Sequence, residues 1–243
     1  GEMAWWHKID RLVIASDPGI FVPALWVTNQ RNLSPAKCIL WVDEREKWDA
    51  LQTETWMQEA AGFLDGNCDP IDTYNLCLLD ARGWGETSPE HLAFDLTWWN
   101  DVLRIISYMS ISLDYPLMGQ RVRDILVTLD YLRTRAEVDP NRIILGGNGA
   151  GAIAALFAAV IDTNIQGVLL SHMPSGYRKI IEMDGFTWSH DIFIPELLNH
   201  CDLPDLIDVL NCPVLNYLPL DGKKNPVDKS TITPGEWLKT IKL

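Results

Sequence analysis

Residues 141–162, NRIILGGNGAGAIAALFAAVID, constrain the fold of this 243-residue chain more than any other stretch. Residues 143–145 form a short apolar run rich in β-branched side chains, which predicts a strand buried within a sheet. Glycines follow at positions 146, 147, 149 and 151. An alanine-rich segment over 150–161 then predicts a helix that can pack closely against that sheet. A strand, a tight glycine turn and a small-residue helix in this order favour an α/β protein.

The same stretch fits the pattern G-x-S-x-G, in which a strained turn between strand and helix presents a nucleophilic serine. Residues 147–151, GNGAG, fall at its five positions, and Gly149 stands where the serine would be. Glycine adopts the positive φ of such a turn without steric cost, but it has no side chain that can attack a carbonyl carbon. The pattern predicts the geometry of the turn and no serine nucleophile.

Two other interpretations of this turn stay open. A plain strand–helix turn of any α/β protein would carry similar glycines. A dinucleotide-binding G-x-G-x-x-G fits Gly147 and Gly149 only with Ala152 in the last position, and no acidic residue ends a suitably placed second strand.

Composition excludes several classes of partner. The net charge of -13 argues against nucleic acid and against anionic membranes, because both require a basic surface. The five cysteines show no C-x-x-C spacing, and no histidine cluster accompanies them, so we expect no metal site and no cofactor. Eleven tryptophans are many for this length, and tryptophan stacks on sugar rings as well as filling cores.

No apolar stretch reaches the roughly 18 residues of a membrane span, and residues 1–3 show no signal-peptide pattern. We therefore expect a soluble chain and leave its compartment open, with secretion or a periplasmic location among the alternatives. The oligomeric state is also left open. We expect a single domain over 1–243, which can itself be part of a longer chain.

Hydrophobic patterning predicts the remaining elements. Residues 8–14 and 21–28 should form an antiparallel hairpin, and further buried strands are expected over 38–42, 74–79, 165–170 and 213–218. Helices are expected over 48–64 and 116–137, with Arg121 on the polar face of the second, and residues 234–243 are expected to form a terminal helix or a tail. Prolines 195 and 204 should interrupt any long helix over 186–210. Alternation of strands and helices predicts a mostly parallel sheet, with functional loops at the strands' carboxyl ends: 43–47, 80–87, 146–151, 171–177 and 219–225.

Several motifs resemble those of α/β hydrolases. DARGWGETSP, residues 80–89, resembles their D-x-R-G-x-G-x-S stretch, and residues 121–132 followed by VDPNRIILGG resemble acetyl xylan esterases and related carbohydrate esterases. IPELLNHCDLPDLIDVL followed by CPVLNYLPLDG is similar to a carbohydrate-esterase-like branch in which the elbow serine is not always kept. The resemblance covers residues 10–225 and implies an α/β-hydrolase-type three-layer sandwich with an N-terminal antiparallel hairpin.

The resemblance implies acyl transfer by serine, histidine and an acid, with backbone N–H groups holding the oxyanion. Carried over, Gly149 takes the serine position and Asp221 the acid position. The family's histidine follows its acid, whereas the last histidine of this chain is His200. Ala150 and the Asp43–Glu44 loop are expected to supply the oxyanion N–H groups.

Substitutes for the missing groups are also considered. His172 and Ser175 could act as a displaced base and nucleophile, although local turn capping is the plainer interpretation of both. Asp221 could equally cap the turn at Gly222. Arg82 could bind substrate or brace neighbouring loops. Trp84, Trp98 and Trp99 could form a sugar platform or pack in the core or a lid.

Three hypotheses follow. The first is a degenerate hydrolase-like domain that is non-catalytic by the serine route and either binds a saccharide or acetylated carbohydrate or pairs with an active domain. The second is an active ester hydrolase on carbohydrate substrates that uses a displaced nucleophile. The third is an inactivated or truncated form of such an enzyme.

Overall fold

A hairpin opens the fold in the computed structural model, which describes residues 7–29, 35–62, 73–89 and 102–241. Strands β1 (His7–Asp17) and β2 (Ile20–Asn29) pair antiparallel, with His7 opposite Asn29. Gly19 makes the turn with φ 80°, a conformation that glycine tolerates well. The predicted hairpin is confirmed.

Within the described residues the sheet has seven strands in the order β1-β2-β4-β3-β5-β6-β7. Strand β2 joins the hairpin antiparallel to β4, and the pairs from β4 to β7 are parallel. Strands β3, β4 and β6 are buried along their whole length, as their continuous apolar runs predict. The mostly parallel sheet with an antiparallel hairpin is confirmed. The later strands are β3 (Ala36–Asp43), β4 (Asn75–Leu79), β5 (Val138–Asn148), β6 (Gly167–Ser171) and β7 (Val214–Tyr217).

Helices cover both faces of the sheet and complete three layers. Helices α1, α2 and α8 bury their apolar residues in one core, and α4 and α5 contribute to the core on the opposite face. The organisation of residues 1–243 as one domain stays a prediction. The helices are α1 (Lys47–Thr53), α2 (Thr55–Ala60), α3 (Val102–Ser112), α4 (Leu117–Arg133), α5 (Ala150–Ile161), α6 (Tyr177–Ile181), α7 (Leu203–Asp208) and α8 (Pro234–Thr240).

Two details of the predicted helices are wrong. The single helix expected over 48–64 is divided at Glu54, whose backbone is extended and whose carboxylate accepts hydrogen bonds from Arg45 and Trp56. Arg121 was expected on the polar face of α4, but it is fully buried and forms an ion pair with Asp191. The alternation of charged and apolar residues along a helix cannot show that one charged residue, here Arg121, pairs with a buried acid elsewhere in the chain.

Close packing of α5 fixes the position of the turn before it. A Cβ at Gly147 would lie 2.5 Å from the Gly151 carbonyl carbon, and a Cβ at Gly151 would collide with the backbone of Val42. Glycine at both positions therefore lets the start of α5 press against β3 and β5. The amino end of α5 is held at the carboxyl ends of the parallel strands.

Candidate functional site

The turn between β5 and α5 has the sharp geometry that its sequence predicts. Gly149 has φ 57° and ψ -122°. Its N–H donates to the Ser171 carbonyl oxygen of β6 at 2.9 Å. Any residue with a side chain is strained at this φ, whereas glycine is not. In G-x-S-x-G turns a serine adopts this conformation in spite of the strain. We call this turn, residues 147–151, the elbow.

The carboxylate of Glu44 occupies the space at the tip of the elbow. A Cβ built on Gly149 would lie 2.6 Å from Glu44 Oε1 and 2.8 Å from its carboxyl carbon. Glu44 Oε2 accepts the Ala150 N–H at 3.1 Å. An acid from the loop after β3 thus stands where a serine side chain would project.

A lysine from a third loop pairs with the same carboxylate. Lys224 Nζ lies 3.4 Å from Glu44 Oε1 and 4.6 Å from the ring centroid of Trp188. The indole N–H of Trp188 donates to the Asp221 carbonyl oxygen at 2.8 Å. The loops after β3, β5 and β7 therefore meet at one ion pair.

Asp221, the residue at the acid position, caps its own loop. Its Oδ1 accepts the backbone N–H groups of Lys223 at 2.8 Å and Asn225 at 2.9 Å. The hydrogen bond from the Asn225 backbone, with help from its side chain and from Lys223, lowers the pKa of Asp221. The carboxylate faces its own turn, and none of its hydrogen bonds within the described residues involves a histidine.

The loop after β3 brings acceptors to the elbow. Ala150 N–H, the first expected oxyanion donor, is already bonded to Glu44. The carboxylate of Asp43 accepts from the backbone N–H, Nε and Nη2 of Arg45 at 3.0, 2.9 and 2.7 Å. The second oxyanion donor expected from Asp43–Glu44 stays a prediction.

His172 lies beside the elbow and contacts Asn148 of the elbow and its own neighbour Ser171. Its backbone has φ 51°, and its Nδ1 lies 2.8 Å from Ser171 Oγ and 3.1 Å from Asn148 Oδ1. Burial lowers the pKa of this imidazole, with smaller effects from Glu54, Arg45 and Asp43. Among the described residues, the hydrogen bonds of the His172 ring go to these two neighbours and none reaches Glu44.

The Ser175–His172 pair does not form in this structure. The buried Ser175 Oγ has no hydrogen-bond partner among the described residues. The backbone N–H of Ser175 donates to the Leu220 carbonyl oxygen at 2.8 Å, extending the strand direction of β6 past β7. The serine that His172 does contact is Ser171, which the sequence interpretation did not single out.

Asp80 anchors the loop of residues 80–87 from beneath. Its fully buried carboxylate accepts the backbone N–H of Lys47 at 2.9 Å, the Lys47 ammonium at 2.5 Å and the Glu86 N–H at 3.0 Å. Gly85 has φ 51°, and a Cβ there would collide with the Asp80 carboxylate. The D-x-R-G-x-G motif thus folds around its own first residue.

Arg82 and Trp84 both face protein. The Arg82 guanidinium donates to both oxygens of Asp124 and to Asp17 Oδ2 at 2.9 Å, which supports the loop-bracing interpretation. Trp84 is 4% exposed, and the Arg121 guanidinium stacks 3.8 Å from its ring centroid. Neither side chain presents the open surface that a substrate contact requires. Trp98 and Trp99 lie outside the described residues.

In the described ranges, no three His, Cys, Asp or Glu side chains gather closely enough to hold a metal ion. No described helix is long and apolar enough to cross a membrane.

The sequence interpretation missed two contacts. Glu44 was expected to act through its backbone, and Lys224 was only part of a loop expected nearby. The available signal was that charged residues follow the carboxyl ends of parallel strands, where loops converge.

A mostly parallel sheet between helical layers, with a positive-φ elbow joining β5 to α5, defines an α/β-hydrolase fold. No protein-family model and no curated protein sequence matches the chain.

Solved structures agree with this class. A protein assigned as an acetyl xylan esterase from Bacteroides fragilis NCTC 9343 superposes with a TM-score of 0.73 at 15% identity, over 90% of this chain and 61% of that one. An acetyl xylan esterase from Paenibacillus sp. R4 gives 0.51 at 18% identity, over 75% of this chain and 54% of that one. A protein assigned as a dienelactone hydrolase from Klebsiella pneumoniae subsp. pneumoniae MGH 78578 gives 0.52 at 12% identity, over 88% and 72%. At these identities the likeness shows the fold, and this chain spans less than two thirds of the first neighbour's length.

Proposed function

We propose that this chain is an α/β-hydrolase-fold domain that binds a ligand and does not hydrolyse esters at its elbow by the serine–histidine–acid route. The observation that supports this most strongly is Glu44. Its carboxylate fills the tip of the elbow above Gly149 and takes the Ala150 N–H.

Three requirements of acyl transfer are unmet around the elbow. Position 149 offers no nucleophilic oxygen. The Ala150 N–H is bonded to a carboxylate, whose negative charge would repel an oxyanion forming there. His172 directs its Nδ1 to Ser171 and Asn148. Loss of triad members lowers turnover by about 10⁴–10⁶, which leaves binding as the better description.

The ligand class to test first comes from the neighbours' names. Two of them are named for acetyl xylan esterase. We propose a saccharide, acetylated or not, as ligand, and soluble xylan fragments are the probe to use in calorimetry. An absence of binding by these fragments, with unrelated polymers as comparison, would remove the saccharide part of the proposal.

A second candidate function rests on the contact between Ser171 and His172. Their Oγ and Nδ1 atoms lie 2.8 Å apart, within the range of a nucleophile and its general base. In this alternative, the neutral His172 carries its proton on Nε2, and its Nδ1 takes the proton of Ser171 as the hydroxyl attacks an ester carbonyl. Ser171 is only 2% exposed, so a substrate would first have to reach it, and we rank this candidate below the binding function.

Steady-state hydrolysis of p-nitrophenyl acetate and of acetylated xylan separates the two. We expect rates within about tenfold of the buffer rate, unchanged by Ser171→Ala, His172→Ala or Glu44→Ala. Gly149→Ser alone should restore little activity, because it supplies no base. Turnover that is robust in the original chain and lost in Ser171→Ala and His172→Ala would establish the second candidate and overturn the first.

A further inference from the structure

A carboxylate is already bound at the elbow, and it belongs to the chain itself. Glu44 presents one oxygen to each of two donors: Oε2 lies 3.1 Å from the Ala150 nitrogen, and Oε1 lies 3.4 Å from Lys224 Nζ. The third side of the carboxylate faces Gly149, where the absence of a side chain leaves room for it.

The two donors are held in place by contacts that do not involve Glu44. The Ala150 N–H belongs to the first turn of a 12-residue helix, whose amino end favours negative charge. Lys224 extends from a loop that Asp221 caps, and its ammonium lies over the Trp188 ring. Removing the Glu44 carboxylate should therefore leave an N–H and an ammonium still facing the same space.

The contact is also open to exchange with solvent. The side chain of Glu44 is 25% exposed and that of Lys224 is 39% exposed. Ion pairs at this exposure are weak, since water and salt compete with them. An external anion can therefore reach the donors whenever Glu44 rotates away.

We propose that Ala150 N–H, Gly149 and Lys224 Nζ form a carboxylate-binding site, that Glu44 fills it from within, and that a small external carboxylate takes its place. This inference rests on the proposed function, because it makes the elbow a regulated binding site. The ligand class follows from the present occupant: a planar group with two oxygens, one for each donor. Glu44 then acts as an internal competitor that sets the threshold concentration of ligand.

Acetate is the probe, and the Ala150 amide resonance of ¹⁵N-labelled protein is the readout. We expect sodium acetate to shift this resonance saturably in Glu44→Ala, with an apparent Kd about two- to sixfold lower than in the original chain, where the tethered carboxylate competes. Sodium chloride at matched ionic strength should produce no saturable shift. Lys224→Ala in the Glu44→Ala background should weaken acetate binding.

Two further variants make the result specific. Glu46→Ala removes a nearby acid whose side chain does not cap α1, and it should respond to acetate like the original chain. Glu44→Gln keeps the volume of the side chain and removes its charge, so its acetate affinity should lie between the original chain and Glu44→Ala. This variant also serves if Glu44→Ala fails to fold. Equal responses to acetate in Glu44→Gln and the original chain, or phosphate binding as tightly as acetate, would overturn the proposal.

The proposed function and this inference fail in different measurements. Ester turnover that depends on elbow residues would overturn the proposed function, whereas acetate binding to Glu44→Ala would still establish the site. Absence of a saturable Ala150 shift in both Glu44 variants would remove the site and leave the lack of turnover unchanged.

Discussion

Two groups of charged residues lie at the carboxyl edge of the same sheet, and they differ in burial. The first, which we call the brace, consists of Lys47, Asp80, Arg82 and Asp124, with side chains between 0% and 13% exposed. The second is the Glu44–Lys224 pair at the elbow, with side chains 25% and 39% exposed. The brace has several hydrogen bonds on each carboxylate, whereas the elbow pair has one backbone donor and one ammonium.

This difference separates structural from exchangeable charges. A buried ion that loses its main partner remains in a medium of low polarity, so each charge of the brace depends strongly on the charge it pairs with. Water can replace either partner at the elbow at little cost. We infer that the brace holds the loop of residues 80–87 in shape whatever occupies the elbow.

The largest expected effect comes from breaking the brace. Asp80→Ala would remove the buried partner of the Lys47 ammonium, which is only 2% exposed, and leave it the half-exposed Glu86 carboxylate at 2.8 Å; it would also leave the Lys47 and Glu86 backbone N–H groups without their acceptor. We expect a loss of about 3–5 kcal/mol in the free energy of unfolding. Urea denaturation followed by circular dichroism measures it. Asp130→Ala, whose side chain is 81% exposed, is the matched control and should cost less than about 0.5 kcal/mol. A loss below about 1 kcal/mol in Asp80→Ala would show that the existing ion pair with Glu86 is enough for Lys47, and the contrast with the elbow would disappear.

A smaller effect is expected from adding a Cβ at the elbow. Gly149→Ala forces a side chain to φ 57°, which costs about 1–2 kcal/mol, and places its Cβ within 2.6 Å of Glu44 Oε1. The new Cβ would displace the Glu44 carboxylate from its contacts with Ala150 and Lys224. Glu44→Ala has already lost these contacts, so the costs of the two substitutions should not add. Urea unfolding of both single variants and the double variant should give a coupling energy of at least about 0.5 kcal/mol. Strict additivity would mean that Glu44 does not occupy the tip of the elbow in solution.

The contrast also explains how much the sequence predicts. The positions of the strands, and the burial of the most apolar ones, can be predicted from local apolar runs. The elbow can be predicted from residues 147–151 alone. The Asp80–Arg82 motif was recognised, but its hydrogen-bond partners lie 33 and 42 residues away along the chain. Local patterns predict the helices and strands, whereas the hydrogen-bond partners of a given side chain depend on residues far away along the chain.

The contents of the elbow could not be predicted for the same reason. Glu44 meets Ala150 across 106 residues and Lys224 across 180 residues. Any of the acids in the loops after the strands could have filled that space. The buried Arg121 was placed on the wrong face because its partner Asp191 lies in a segment without a regular pattern. Where several loops meet, the contacts of each side chain depend on how the whole fold packs.

The smallest expected effect concerns His172, which is partly buried beside the elbow. Burial lowers the pKa of its imidazole below the ordinary value of 6.5, so the unfolded chain takes up a proton at higher pH than the folded chain. Stability should therefore fall as the pH decreases through about 6.5 and continue to fall until the folded imidazole is protonated. Above this window the imidazole is neutral, with its Nδ1 2.8 Å from Ser171 Oγ and 3.1 Å from Asn148 Oδ1.

His172→Gln isolates this contribution because glutamine cannot be protonated there. The difference in unfolding free energy between the original chain and His172→Gln should change in favour of the variant as the pH falls from 7 to 5. The carboxylates, which titrate in both proteins, should largely cancel in that difference. His200→Gln is the control, since His200 lies at the end of an exposed turn. A difference that stays constant over this range would mean that the imidazole has the same pKa in the folded and the unfolded chain, and would group His172 with the exchangeable elbow rather than with the buried brace.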